Sequence, residues 1–120
     1  MIRARNKFWL EDGDNNYLMG PRTARLLQAI DDYGSLSKAA QSTGFSYRAA
    51  WNRLKRVEQA LGFKLLERTV GGQGGGGSVL SVQGKQIVEV FFTLEQASKH
   101  ILNDAVSEFN TNFPEERDES

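Results

Sequence analysis

The chain has 120 residues, 39% of them hydrophobic and 25% charged, with fifteen Lys/Arg against fifteen Asp/Glu, the length and balance of one globular domain with a single core. It holds no cysteine, which excludes a disulfide framework and thiolate metal sites. No stretch is apolar enough for a membrane span or a signal-peptide core, so a cytoplasmic protein with no membrane partner is expected.

The zero net charge conceals a division. Residues 1–70 carry twelve Lys/Arg against seven Asp/Glu, and residues 71–120 carry three against eight. A basic half beside an acidic half places an electrostatic footprint on one side of the molecule.

In chain order, residues 1–20 form an N-terminal hairpin. Lys7-Phe8-Trp9-Leu10-Glu11 and Asn16-Tyr17-Leu18-Met19 read as strands, with Asp12-Gly13-Asp14-Asn15 as the turn. A lone hairpin is marginal, so Phe8, Trp9 or Leu18 should pack on the helices after it. Pro21 suits a first helical position and starts a helix to Tyr33, buried through Ala24, Leu26, Leu27 and Ile30 and ended by Gly34. Ser35 caps a second helix, Leu36 to about Gln41, with Ala39 and Ala40 small enough for a close helix crossing. Thr43-Gly44-Phe45 is a turn, and Ser46 caps the third helix, which ends near Leu61-Gly62. Residues 21–62 thus follow a helix-turn-helix pattern.

The third helix has two faces. Tyr47, Ala50, Leu54, Val57 and Leu61 make an apolar stripe expected to be buried. Arg48, Asn52, Lys55, Arg56 and Gln59 make a polar face with three cations and no carboxylate. Such a face is either an ordinary solvated surface or one suited to the major groove of DNA, where Arg reads guanine and Asn adenine. In the second reading Arg48 and Asn52 meet base edges, while Arg53, Lys55 and Arg56 meet phosphates. Tyr47 starts the apolar face, with its hydroxyl near a phosphate, and Ser35, Ser37 and Lys38 hold a phosphate at the start of the second helix. Trp51 is expected to be partly core, its indole N–H needing a partner.

Residues 63–81 read as a second hairpin, with strands Lys64–Arg68 and Ser78–Ser81 and a glycine-rich tip. Directly after such a helix, this is the position of a wing. Arg68, Gly72, Gln73 and Gly74 would touch flanking DNA; the alternative is a plain surface loop. No Gly-Lys-Ser/Thr run leads into a helix, so a nucleotide-hydrolase phosphate loop is not expected.

From Ser81 as cap, a helical pattern runs over residues 82–110. Ile87, Phe91, Leu94, Ile101 and Ala105 form one apolar stripe; Val88, Phe92, Leu102, Val106 and Phe109 form another. One stripe can pack on the domain while the other meets a second copy, with Phe91, Phe92, Leu94, Ile101, Leu102 and Val106 as interface residues. A single wide buried face is the alternative. Residues 1–110 make the domain and residues 111–120 a polar tail.

Several of these features come together in Gly34-Ser35-Leu36-Ser37-Lys38-Ala39-Ala40 and Leu61-Gly62, which resemble LysR-type DNA-binding domains. Ser46-Tyr47-Arg48-x-Ala50-Trp51, Glu67-Arg68 and the glycine run 71–77 are closer to the N-terminal domain of ModE-type, molybdate-responsive transcriptional regulators. The resemblance covers about residues 6–105. It implies a mainly helical winged helix-turn-helix with small β hairpins and a long dimerisation helix, binding double-stranded DNA as a homodimer on a palindromic operator. ModE-type regulators sense molybdate through C-terminal β domains that these 120 residues do not include, so no cofactor is expected of this chain.

Two other function classes are weighed against that reading. One is an interaction module that dimerises through the long helix, the rest being scaffold. The other is an enzyme, and it is not expected: His100 is the lone histidine, no Gly-x-Ser-x-Gly elbow occurs, and Asp31-Asp32 reads as a solvated pair rather than a metal site.

Overall fold

The computed structural model describes residues 1–70 and 77–114. Its elements are β1 (Leu10–Glu11), β2 (Tyr17–Met19), α1 (Pro21–Tyr33), α2 (Leu36–Thr43), α3 (Tyr47–Leu61), β3 (Leu66–Arg68), β4 (Ser78–Leu80) and α4 (Val82–Asn112). β1 pairs with β2 and β3 with β4, both antiparallel, as two separate hairpins. This is a winged helix-turn-helix.

Local chemistry sets the helix ends. The Oγ atoms of Ser35, Ser46 and Ser81 accept from the backbone N–H groups of Lys38, Ala49 and Gly84 at 3.2, 3.1 and 2.9 Å. Each such cap stabilises its helix by about 1 kcal/mol. α1 and α2 end on Gly34 and Gly44 at φ 68° and 78°, a left-handed backbone that side-chain-bearing residues avoid. α2 runs two residues past the expected Gln41, to Thr43, whose hydroxyl donates to the Ala39 carbonyl at 2.7 Å.

α1 is the centre of the core. Ala24, Leu26, Leu27 and Ile30 are fully buried against Ala39 and Ala40 of α2, Ala50, Leu54 and Val57 of α3, and Met19 of β2. The small side chains of Ala39, Ala40 and Ala50 let α2 and α3 cross closely, as their spacing predicts. The expected strands are shortened: β1 begins at Leu10 and β3 at Leu66. Phe8 packs on the core from outside β1, whereas Trp9 stays largely exposed, its indole N–H donating to Glu11 at 3.2 Å.

The second hairpin is stitched to its surroundings at its base. Ser78 N–H donates to the Gly34 carbonyl at 2.9 Å and Leu80 N–H to Asp31 Oδ1 at 3.3 Å. Asp31, expected to be solvated, therefore caps a strand. Ser81 donates from its backbone to Leu65 O and from its hydroxyl to Lys64 O, and a Cβ at Gly84 would collide with that Leu65 carbonyl. α4 thus leaves the wing through a tight joint.

α4 is 31 residues long, roughly 46 Å at 1.5 Å per residue. Only its first third enters the core, through Gly84, Val88 and Phe91. Phe91 meets Phe8 edge-on at a ring-centroid distance of 5.2 Å. This corrects one expected interface residue: Phe91 is completely buried within its own protomer. It also redraws the two stripes, because the domain-facing side takes Val88 from one and Phe91 from the other.

Farther along, residues 2–6 lie antiparallel on α4, which the sequence did not foretell. Ile2 exchanges two hydrogen bonds with the Asn110 side chain at 3.0 and 3.1 Å, and Asn6 Nδ2 donates to Ser98 Oγ at 2.8 Å. Leu102 and Val106 are half-buried next to this arm. Val90, Leu94, Ile101, Phe109 and Phe113 remain exposed, Ile101 at 69%. No described helix is long and apolar enough to cross a membrane.

Candidate nucleic-acid interface

α3 presents its outer face beside the β3–β4 hairpin. Its inner side, Ala50, Leu54 and Val57, is anchored in the core. Opposite lie Arg48, Asn52 and Arg56, exposed and with side chains that make no hydrogen bond or ion pair with a described residue. A guanidinium and an amide one turn apart on a capped, core-locked helix offer a bidentate donor and a donor–acceptor pair to whatever approaches.

The remaining predicted residues divide by what they touch. Ser46 and Ser35 are exposed or half-buried and are committed to capping. Ser37 and Lys38 are exposed on the first turn of α2, and Arg68 is exposed on β3, opposite Ser78. Arg53 is half-buried, its guanidinium 5.8 Å from the Phe45 ring centre. Lys55 is already engaged: its ammonium lies 3.0 Å from Glu58 Oε1 and 4.5 Å from the centre of the Trp51 ring. The face therefore does meet a carboxylate at its edge. Gly72, Gln73 and Gly74 lie outside the described residues.

Tyr47 corrects the apolar-stripe reading, since it is 55% exposed rather than buried. It occupies the first helical position, beyond the rim of the core. Trp51 is also open, at 40%. Both rings border a cleft between α3 and the hairpin, lined as well by Lys55, Lys64, Arg68 and Ser78.

Two supporting residues escaped the sequence reading. Arg22 reaches from α1 to the turn before α3, stacking at 4.1 Å over the Phe45 ring and donating to the Gly44 carbonyl at 3.0 Å. Glu58 joins α3 to the wing: one oxygen holds Lys55 and the other accepts from Leu65 N–H at 2.7 Å. Both contacts link residues that periodicity treats as unrelated. The Arg–Gly-Phe pairing has no sequence signal at all, while Glu58 was detectable as the sole carboxylate of α3.

Among the described residues no group of three or more His, Cys, Asp or Glu could hold a metal ion. His100 is exposed on α4, 3.7 Å from Asp104 one turn away.

Residues 21–84, from α1 to the start of α4, match the family of bacterial regulatory helix-turn-helix proteins of the lysR type. The transcriptional regulator ModE of Haemophilus influenzae is 34% identical over 80 residues, which is 67% of this chain and 31% of that protein. The DNA-binding transcriptional dual regulator ModE of Escherichia coli K12 is 38% identical over 76 residues, 63% of this chain and 29% of its own length. The molybdenum-pterin-binding protein MopB of Rhodobacter capsulatus is 33% identical over 85 residues, covering 71% and 32%. The chain thus spans about a third of the length of these relatives.

Two solved structures share the fold. CbnR_DBD in a DNA complex aligns with a TM-score of 0.57 at 19% identity, covering 75% of this chain and 98% of that one. BenM_DBD with benA site 1 DNA aligns at 0.55 and 20% identity, covering 74% and 94%.

Proposed function

This chain belongs to the lysR family of bacterial regulatory helix-turn-helix proteins, and we propose that it is a DNA-binding transcriptional regulator acting as a homodimer on a palindromic operator. The observation that carries this reading is the unpartnered Arg48–Asn52–Arg56 face on a helix otherwise locked into the core. Major-groove entry by α3 brings Arg48 and Asn52 to base edges, where a bidentate contact discriminates by about 1–3 kcal/mol. Arg53, Lys55, Arg56 and the first turn of α2, with Ser35, Ser37 and Lys38, serve the phosphates, which fix position without reading sequence. Arg68 and the wing tip, including Gly72, Gln73 and Gly74, reach the flanking backbone. The exposed residues Leu94 and Ile101 form the centre of the dimer contact, with Phe92, Leu102 and Val106 at its margin. Supporting the dimer is the apolar stripe that α4 leaves in water.

That same stripe favours a second reading, an adaptor that binds another protein through α4. Charge reversal at Arg48 and Lys55 separates the two, because it abolishes DNA binding and spares a protein partner.

The test is selection of bound fragments from genomic DNA by the purified protein at physiological salt, with and without molybdate. A palindromic site enriched equally in both supports a dimeric regulator that does not sense the oxyanion through these residues. With about six phosphates neutralised per dimer, log affinity falls against log salt with a slope near −5. No enrichment in either condition overturns the proposal in favour of the adaptor.

A further inference from the structure

Tyr47 and Trp51 stand one turn apart on the first two turns of α3, the part of a recognition helix that meets base edges, and both rings are substantially exposed. Exposed aromatics at two consecutive turns lose apolar burial that the rest of the helix secures through Ala50, Leu54 and Val57. Tyr47 stands beyond the rim of the core, 55% exposed. Trp51 is braced by the Lys55 ammonium at 4.5 Å, Lys55 by Glu58, and Glu58 by the backbone of Leu65 where the wing begins. The two rings form an exposed aromatic ledge between the Arg48–Asn52 face and the wing cleft.

The ledge has few possible counterparts on a duplex. In the major groove the base edges carry hydrogen-bonding groups and one apolar group, the C5-methyl of thymine. Resting on the regulator reading above and deepening it, we propose that Tyr47 and Trp51 read thymine methyl groups on the wing side of the bases contacted by Arg48 and Asn52. The specificity would then be mixed, with hydrogen bonds from one side of the helix and methyl contacts from the other. Stacking of the same rings on deoxyribose would give affinity without discrimination, so the two are separable.

The test replaces thymines in the selected operator, one at a time, by deoxyuridine. Pairing and the hydrogen-bonding edge are unchanged and only the methyl is lost. At one or two positions per half-site, affinity should fall about fourfold, the worth of burying one methyl-sized group. Trp51→Ala and Tyr47→Ala should bind thymine and uracil forms equally at those positions, whereas Tyr47→Phe should keep the preference, since the ring and not the hydroxyl makes the contact. A fully uracil-substituted operator bound as tightly as the thymine form by the unaltered protein overturns the inference. Persistence of the preference in the Tyr47→Ala/Trp51→Ala double variant overturns it as well. Failure of the regulator reading shows earlier and differently, as the absence of any selected site.

Discussion

α3 and α4 begin alike and are left open for opposite reasons. Each starts on a serine cap, Ser46 or Ser81, and each sends one side into the core near its start. α3 then leaves cations and an amide in water; α4 leaves Val90, Leu94, Ile101 and Phe109. Solvated polar groups are satisfied while they wait, so a partner must offer charge or complementary hydrogen bonds to displace water. Exposed aliphatics are unsatisfied in water, and any well-fitting apolar surface gains about 25 cal/mol per Å² by covering them. A surface of the first kind is selective and salt-sensitive. The second kind is strong, and its selectivity comes only from shape.

The largest effect expected on this contrast comes from Phe91→Ala. Because the ring is completely buried and packed on Phe8, the variant should lose about 3–5 kcal/mol of unfolding free energy, read by denaturant titration. Unchanged stability with loss of dimer would instead return Phe91 to the interface. Next is the double change Leu94→Glu/Ile101→Glu, at positions 45% and 69% exposed in the protomer. Folding should be retained while association weakens at least about a hundredfold, since several apolar groups per copy would be left opposing buried charge. Sedimentation velocity over a concentration series decides it, and an unaltered association constant would disconnect the α4 stripe from dimerisation.

On the polar side the effects are smaller. Arg48→Ala should cost about 1–3 kcal/mol per half-site on the selected operator and much less on random DNA. Equal losses on both would remove Arg48 as a base reader. Lys55→Ala should weaken all sequences alike and by less, because its ammonium is already shared between Glu58 and the Trp51 ring.

A control lies outside both surfaces and is the smallest effect. Backbone N–H groups of Asn16 and then Asp14 hold the Asp12 carboxyl below its ordinary value of 3.8. A carboxylate with a depressed folded-state pKa adds stability that is present above its unfolded pKa and is lost as pH falls through the folded one. Protection of the Asp14 and Asn16 amides, taken relative to their unstructured exchange rates, should therefore fall as Asp12 protonates, and Asp12→Asn should remove that fall with DNA binding and association untouched.

Much of the fold was legible because it is local. The start and end of α1, the three serine caps and the glycines at Gly34 and Gly44 each depend on atoms within four residues of one another. The paired alanines signalled a close helix crossing, and the outer face of α3 followed from its 3.6-residue period. Reading failed where the period ran past the rim of the core, as at Tyr47. It also failed where contacts joined distant segments: Asp31 to Leu80, Arg22 to Gly44, and the N-terminal arm to Asn110.

By itself, then, the amino-acid sequence determined which segments are helices, where they start and which chemical types they carry, since backbone capping and side-chain period are properties of neighbours. Only the tertiary structure decided which of the adjacent Phe91 and Phe92 enters the core. Phe91 is fully buried against Phe8, and Phe92 is left half-covered at its edge. The two side chains leave α4 about 100° apart, and a helix pattern cannot say which direction α1 and the N-terminal segment will occupy.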